Sequence, residues 1–204
     1  MSDPFRQLVD LLPPPAGSIA APPWQEIGDE IDVPLPSDYK WFSATYGGGR
    51  VTPAWSEDRR HPWLEIFSPS RSGHDGGPGG LRGLTDYHAR HFHDGFTYDG
   101  SDEDMWAGAP RPVYPEPGGV LAWGMSEWGD SLFWLTEDPD PDSWPVVAWM
   151  RHLGEPVYPG CGLVEFLIRL FRSDFPPMST WASPGLHWTI HNDWLRTGLD
   201  VAFG

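Results

Sequence analysis

Cysteine is nearly absent from this chain. Cys161 is the only one in 204 residues, which excludes an intrachain disulfide and a zinc site built from several thiolates of one chain. Lysine is as scarce: Lys40 stands alone among arginines, a pattern that reads as coding bias. Positive charge is short altogether, with 13 Lys and Arg against 29 Asp and Glu and a net charge of -16. Such a field repels phosphate, so neither nucleic acid nor an anionic membrane is expected as a partner, whereas a basic protein surface would be drawn in quickly. Long hydrophobic runs are missing too: nowhere do ~18 uninterrupted apolar residues occur. The opening "MSDPFRQLVDLLPPPAG" has no basic n-region, so no signal peptide is expected and the simplest location is the cytoplasm. Neither GxxxxGK[ST] nor GxGxxG is present.

What the chain does have is aromatic and loop-forming residues. Its 13 Trp and a hydrophobic content of 39% supply ample apolar surface for one folded domain. A chain of this length buries roughly 70% of the surface its unfolded form exposes. Gly and Pro number 24 each, which predicts short elements and much loop.

Phe5, Leu8, Val9 and Leu12 fall at helical spacing behind Ser2 as N-cap, and "PPPAG" ends that helix. Trp24, Ile27 and Ile31 suggest a second helical turn or two before "VPLP" interrupts. In "LPSDYKWFSATYGGG", Ser37 is a good N-cap and Asp38 suits a helix N-terminus. Tyr39, Phe42 and Tyr46 line one face, and Gly47 is placed for the left-handed C-terminal position. A phosphate cradle needs its glycines before a helix; here they follow one, so the triple glycine reads as a helix stop. "WLEIF" reads as a strand, "SPSRSGHDGGPGGLRG" as loop, and "LTDYHARHFHDGF" as helical in its first half with Leu84, Tyr87 and His91 on one side. "GVLAWGM", "DSLFWLTE" and "WPVVAWMRH" predict an antiparallel meander, joined through "SEWG" and "DPDPDS". "GLVEFLIRLF" carries Leu163, Phe166, Leu167 and Leu170 at helical spacing. The order predicts an α+β fold, an antiparallel sheet with helices packed against it.

Three blocks also carry a family resemblance. "WQEIGDEIDVPLPSDYKWFSATYGGG" resembles the entry motif of the Smi/Knr cell-wall-assembly-regulator domains, the SUKH superfamily. "GVLAWGMSEWGDSLFWLTEDPDPDSWPVVAW" looks like that family's central hairpins, and "LVEFLIRLF" is similar to its closing helix. The matching blocks run over 24–49 and 119–171. The resemblance implies a SUKH-like domain over 21–171 with a long insertion at about 68–117. An N-terminal helix and Pro-rich linker (1–20) would precede it, and a C-terminal extension (172–204) would follow. It further implies a non-enzymatic role: bacterial members look like immunity proteins that neutralise a cognate toxin, and fungal relatives act as adaptors in cell-wall signalling.

Candidate chemistry is thin beside this. Asp86, His88, His91, His93 and Asp94 offer metal-ligand types, so that beside a cytosolic adaptor of the cell-wall-regulator type a metal-dependent hydrolase using the His88 to His93 cluster is a second alternative function. "HWTIH" gives His187 and His191 the zincin spacing but places Trp188 where the general base should stand. Cys161, at the start of the closing helix, would have its thiol pKa lowered by the dipole, with His152 the nearest histidine in sequence. "DPDPDS" lacks the glycine and terminal glutamate of a calcium loop. No catalytic residue, metal or cofactor is therefore assigned. The partner-binding candidates are Asp102, Glu103, Asp104 and Trp106 in one loop and Asp138 and Asp140 before Trp144 in another. Carboxylates around an aromatic anchor suit docking against Arg and Lys of a basic partner; with the resemblance added, that partner would be a cognate toxin, a basic nuclease being one such form.

Overall fold

In the computed structural model, the described residues are 3–17, 19, 22, 24–25, 27, 34–56, 62–69, 80–94, 112–181 and 185–190. Seven strands form one antiparallel sheet: β1 (Gly49–Pro53), β2 (Leu64–Ile66), β3 (Val120–Ser126), β4 (Ser131–Leu135), β5 (Val146–Met150), β6 (Glu155–Val157) and β7 (Leu186–Ile190). Their order is β6-β5-β4-β3-β2-β1-β7. Helices α1 (Pro4–Leu11), α2 (Ser37–Tyr46), α3 (Gly80–Asp94) and α4 (Leu163–Phe171) accompany it. The α+β expectation and the meander β3-β4-β5 hold.

Adjacent residues of a strand point to opposite faces, and β4 shows what each face meets. Trp134 receives Tyr39 of α2 edge-on at 5.0 Å and lies beside Trp123, which in turn meets Phe166 of α4 at 5.9 Å. Phe133, on the other face, packs against His88 of α3 at 5.0 Å. The sheet is therefore sandwiched, with α2 and α4 on one side and α3 on the other. Helix α1 lies on α4, burying Leu8 and Leu12, and Phe5 packs against Trp41 at 4.6 Å.

Several local details differ from the sequence expectation. Helix α1 is capped by Asp3, whose carboxylate accepts the Phe5 N–H at 3.1 Å, with Pro4 at the first helical position where its missing N–H costs nothing. Ser2, the expected cap, lies outside the described residues. Helix α3 runs its full 15 residues and buries Leu81, Leu84, Thr85 and His88, a stripe rotated from the Leu84, Tyr87, His91 side. On that stripe the Thr85 hydroxyl accepts the Ala122 N–H at 3.0 Å, satisfying β3 where its register with β4 shifts.

Residues 172–181 and 185–190 belong to the same folded unit. After α4 come buried Phe175 and two short 3-10 turns over Pro176–Trp181, kinked at Met178, which bury Met178 and Trp181. The chain then enters β7, whose Trp188 indole N–H donates to the Tyr46 carbonyl at 2.7 Å and so closes the C-terminus of α2. Gly47 has φ 71, the positive value the helix stop requires, and donates to Ser43 at 3.0 Å.

Candidate interaction surface

The turn between β4 and β5 is built by its own carboxylates. Pro139 and Pro141 withhold backbone donors, so the strands cannot extend through it, and a single 3-10 turn, Pro141–Ser143, forms instead. Asp138 Oδ1 accepts the Asp140 N–H at 2.8 Å, and Asp140 Oδ1 accepts the Asp142 N–H at 3.1 Å. Asp142 Oδ1 accepts the Ser37 N–H at 2.6 Å, which makes it the N-terminal cap of α2. Ser37 is not the N-cap that its residue type suggests: Pro36 occupies that position with no capping side chain, and the cap comes from 105 residues away. Asp138 and Asp140 are exposed, each accepting one backbone N–H through Oδ1. Glu137 continues the row beside Gly118, next to exposed Glu116.

Trp144 does not serve as the exposed anchor of this turn. It is only 4% exposed, and its indole N–H donates to the Asp138 carbonyl at 2.6 Å. A large apolar ring gains more from burial than from waiting for a partner, and its one polar atom pins the turn from beneath. The other expected cluster, Asp102, Glu103, Asp104 and Trp106, lies outside the described residues.

Asp38 extends the same negative region. Its Oδ2 accepts the Val164 N–H at 3.1 Å, so a side chain of α2 caps α4. Burial raises its pKa above the usual 3.8, opposed by the N–H groups of Val164, Tyr39 and Leu163 and reinforced by the neighbouring charge of Asp142. The sign follows directly. A carboxyl whose folded pKa exceeds its unfolded one favours the fold while protonated, and that contribution is lost as pH rises from 3.8 through the folded value. Asp38→Asn keeps an oxygen for Val164 and cannot ionise. Its stability relative to the wild type should therefore improve in urea titrations as pH rises from 3.8 through the folded pKa, and level off above it. Asp38→Ala, which loses the cap, should be about 1 kcal/mol less stable than Asp38→Asn at every pH. A difference between wild type and Asp38→Asn that stays flat with pH would contradict this account.

The exposed apolar side chains divide between the two ends of the sheet. Among the described residues these are Trp55, Trp128, Leu153 and Tyr158. Trp55 follows β1, Trp128 sits in the β3-β4 turn and Leu153 in the β5-β6 turn, all at the end opposite the acidic turn. Trp128 rests on buried Trp181 at 5.7 Å. Only Tyr158, just past β6, shares the end that carries Asp138 and Asp140. Its phenol is exposed, whereas Trp144, the aromatic expected beside the acids, is buried.

The remaining chemical candidates do not gather into a metal site among the described residues. His88 is buried against Phe133, and the side chains of His91 and His93 lie outside those described. His187 is half-buried within β7, opposite Thr52, and His191 lies outside the described residues. Cys161 is buried, with Arg169 Nη1 3.7 Å from its sulfur, and desolvation raises its thiol pKa rather than the helix lowering it. His152 is engaged elsewhere, 3.9 Å from Asp130. Asp130 is buried and also accepts the Ser126 hydroxyl at 2.7 Å and the Arg151 N–H at 3.0 Å. Here the carboxylate stands between hydroxyl and imidazole, whereas an activated serine needs the imidazole in the middle. Among the described residues no three His, Cys, Asp or Glu side chains gather to hold a metal, and no helix is long and apolar enough to cross a membrane. Comparison of the chain with family models, with curated proteins and with solved structures finds no match.

Proposed function

We propose that this is a non-enzymatic, SUKH-like protein-binding domain that works in the cytoplasm as an immunity protein, occluding a cognate basic toxin of nuclease type. The observation that carries the reading is the self-braced acidic turn. Asp138 and Asp140 are held by backbone N–H bonds before any partner arrives, so little conformational entropy remains to be lost on docking. Exposed carboxylates on a chain of net charge -16 steer a basic surface, and Tyr158 offers apolar area at the same end. The resemblance over 24–49 and 119–171 supports the specific form of the proposal. A regulatory adaptor of the cell-wall-regulator type would use the same surface on an endogenous partner.

The test is co-expression with the product of the neighbouring gene, scored by growth rescue and by complex formation. In the complex, Asp138→Asn/Asp140→Asn keeps the turn's acceptors and removes two charges. Its association should be about fivefold slower at low salt, with a shallower salt dependence and little change in dissociation. Tyr158→Ala should act the other way, speeding dissociation. Unaltered kinetics in both variants would remove this end of the sheet as the interface, and absence of rescue and of a complex would favour the adaptor.

A further inference from the structure

Next to the acidic turn, α1 and α4 leave a groove of about 500 Å³ between them. Its walls are apolar where the helices face each other, through Phe5, Val164 and Ile168. Its charges are sorted along α4. At the N-terminal end stand Asp38 and exposed Glu165, continuous with Asp142 and the rest of the turn through the Ser37 bond. At the C-terminal end stand Arg169 and Arg172. Arg169 is already directed, donating to the Pro159 carbonyl at 2.8 Å, while Arg172 is exposed in the position after the last helical residue.

This layout runs along the helix dipole, with acid at the positive end and base at the negative end, which stabilises α4 by itself. That alone would explain an even helix surface. It does not explain a groove with apolar walls opening between the two charged ends, since α1 could have closed over it. A cavity with apolar sides and few polar groups at its ends is the ordinary form of a binding site.

We infer that the α1–α4 groove receives a linear segment of the protein partner, with an apolar anchor in its centre and Lys or Arg at the end facing Asp38 and Glu165. Charge complementarity selects this occupant. A basic flank meets two groove carboxylates and, beyond them, the exposed carboxylates of the turn, while an acidic flank there would meet only repulsion. The inference rests on the proposed function and deepens it: the turn steers the partner, and the groove holds one segment of it.

Selection of a phage-displayed random 12-residue peptide library on the intact protein tests this directly. The expected result is enrichment of peptides with one or two large apolar residues flanked on one side by Lys or Arg. Glu165→Arg, at an exposed first-turn position of α4 where the fold loses only a helix-dipole contact, should abolish the preference for the basic flank and weaken the enriched peptides at least tenfold. Asp138→Asn/Asp140→Asn, outside the groove, should leave peptide affinity within about twofold. Peptides without a basic flank, or peptides indifferent to Glu165→Arg, would overturn the groove assignment. The two proposals fail separately: a neighbouring-gene complex insensitive to Glu165→Arg but slowed by Asp138→Asn/Asp140→Asn ends the groove inference and leaves the acidic turn standing.

Discussion

Trp181→Ala should lower the unfolding free energy by about 4 kcal/mol. Trp181 is fully buried in the 3-10 stretch between α4 and β7, beneath the exposed ring of Trp128. Removing its indole leaves a cavity that two prolines, Pro176 and Pro177, prevent the backbone from collapsing into. Trp128 then loses its platform, so the β3-β4 turn loosens with it. Typical domains have only 5–15 kcal/mol in all, so the variant should be half unfolded in mild denaturant. Trp181→Phe keeps a ring in place and should recover more than half of the loss. Equilibrium urea unfolding decides the matter. A Trp181→Ala variant within 1 kcal/mol of wild type would mean that the segment after Phe171 is an appendage and not part of the core.

Gly49→Ala should be nearly as damaging, at about 3 kcal/mol, although it adds a single methyl group. A Cβ at this position would run into the backbone carbonyl of Thr189 and stand 2.9 Å from Trp188 Cζ2 and 3.1 Å from Ile190 Cα. None of these atoms sits at the far end of a flexible side chain. The methyl must therefore push β7 off β1, and with it goes the Trp188 bond that closes α2. The variant should unfold earlier and lose amide protection along β7 first. If Gly49→Ala were neutral, the pairing of Gly49 with Ile190 would have to be wrong.

These two residues also mark the limit of what the sequence allowed. Periodicity placed α2, the meander and α4 because each carries its apolar residues at a spacing set by local geometry: Tyr39, Phe42 and Tyr46 in one case, Leu163, Phe166 and Leu167 in another. "GGG" was legible as a helix stop for the same local reason. Its third glycine has a different purpose, admitting β7 against β1, and that depends on residues 140 positions later. The tail from Arg172 resisted assignment because β7 has no repeating pattern of its own; it is a strand because β1 offers it an edge. At the candidate site, Asp138 and Asp140 could be named as exposed carboxylates from the proline-rich turn alone. That Trp144 turns inward and Tyr158 outward could not be read, since both are aromatics beside a proline and a strand.

The two long-range caps have a consequence for how this surface could change. Asp142 holds α2 and Asp38 holds α4, so two of the carboxylates that give this end its charge also fix the helix layer. Asp138 and Asp140 are each half-committed to the turn's own shape. A lineage adapting to a new partner could therefore not exchange these positions freely. Room for drift lies at Tyr158, whose exposed phenol braces no helix end, and divergence in specificity would be written there while the acidic frame stayed constant.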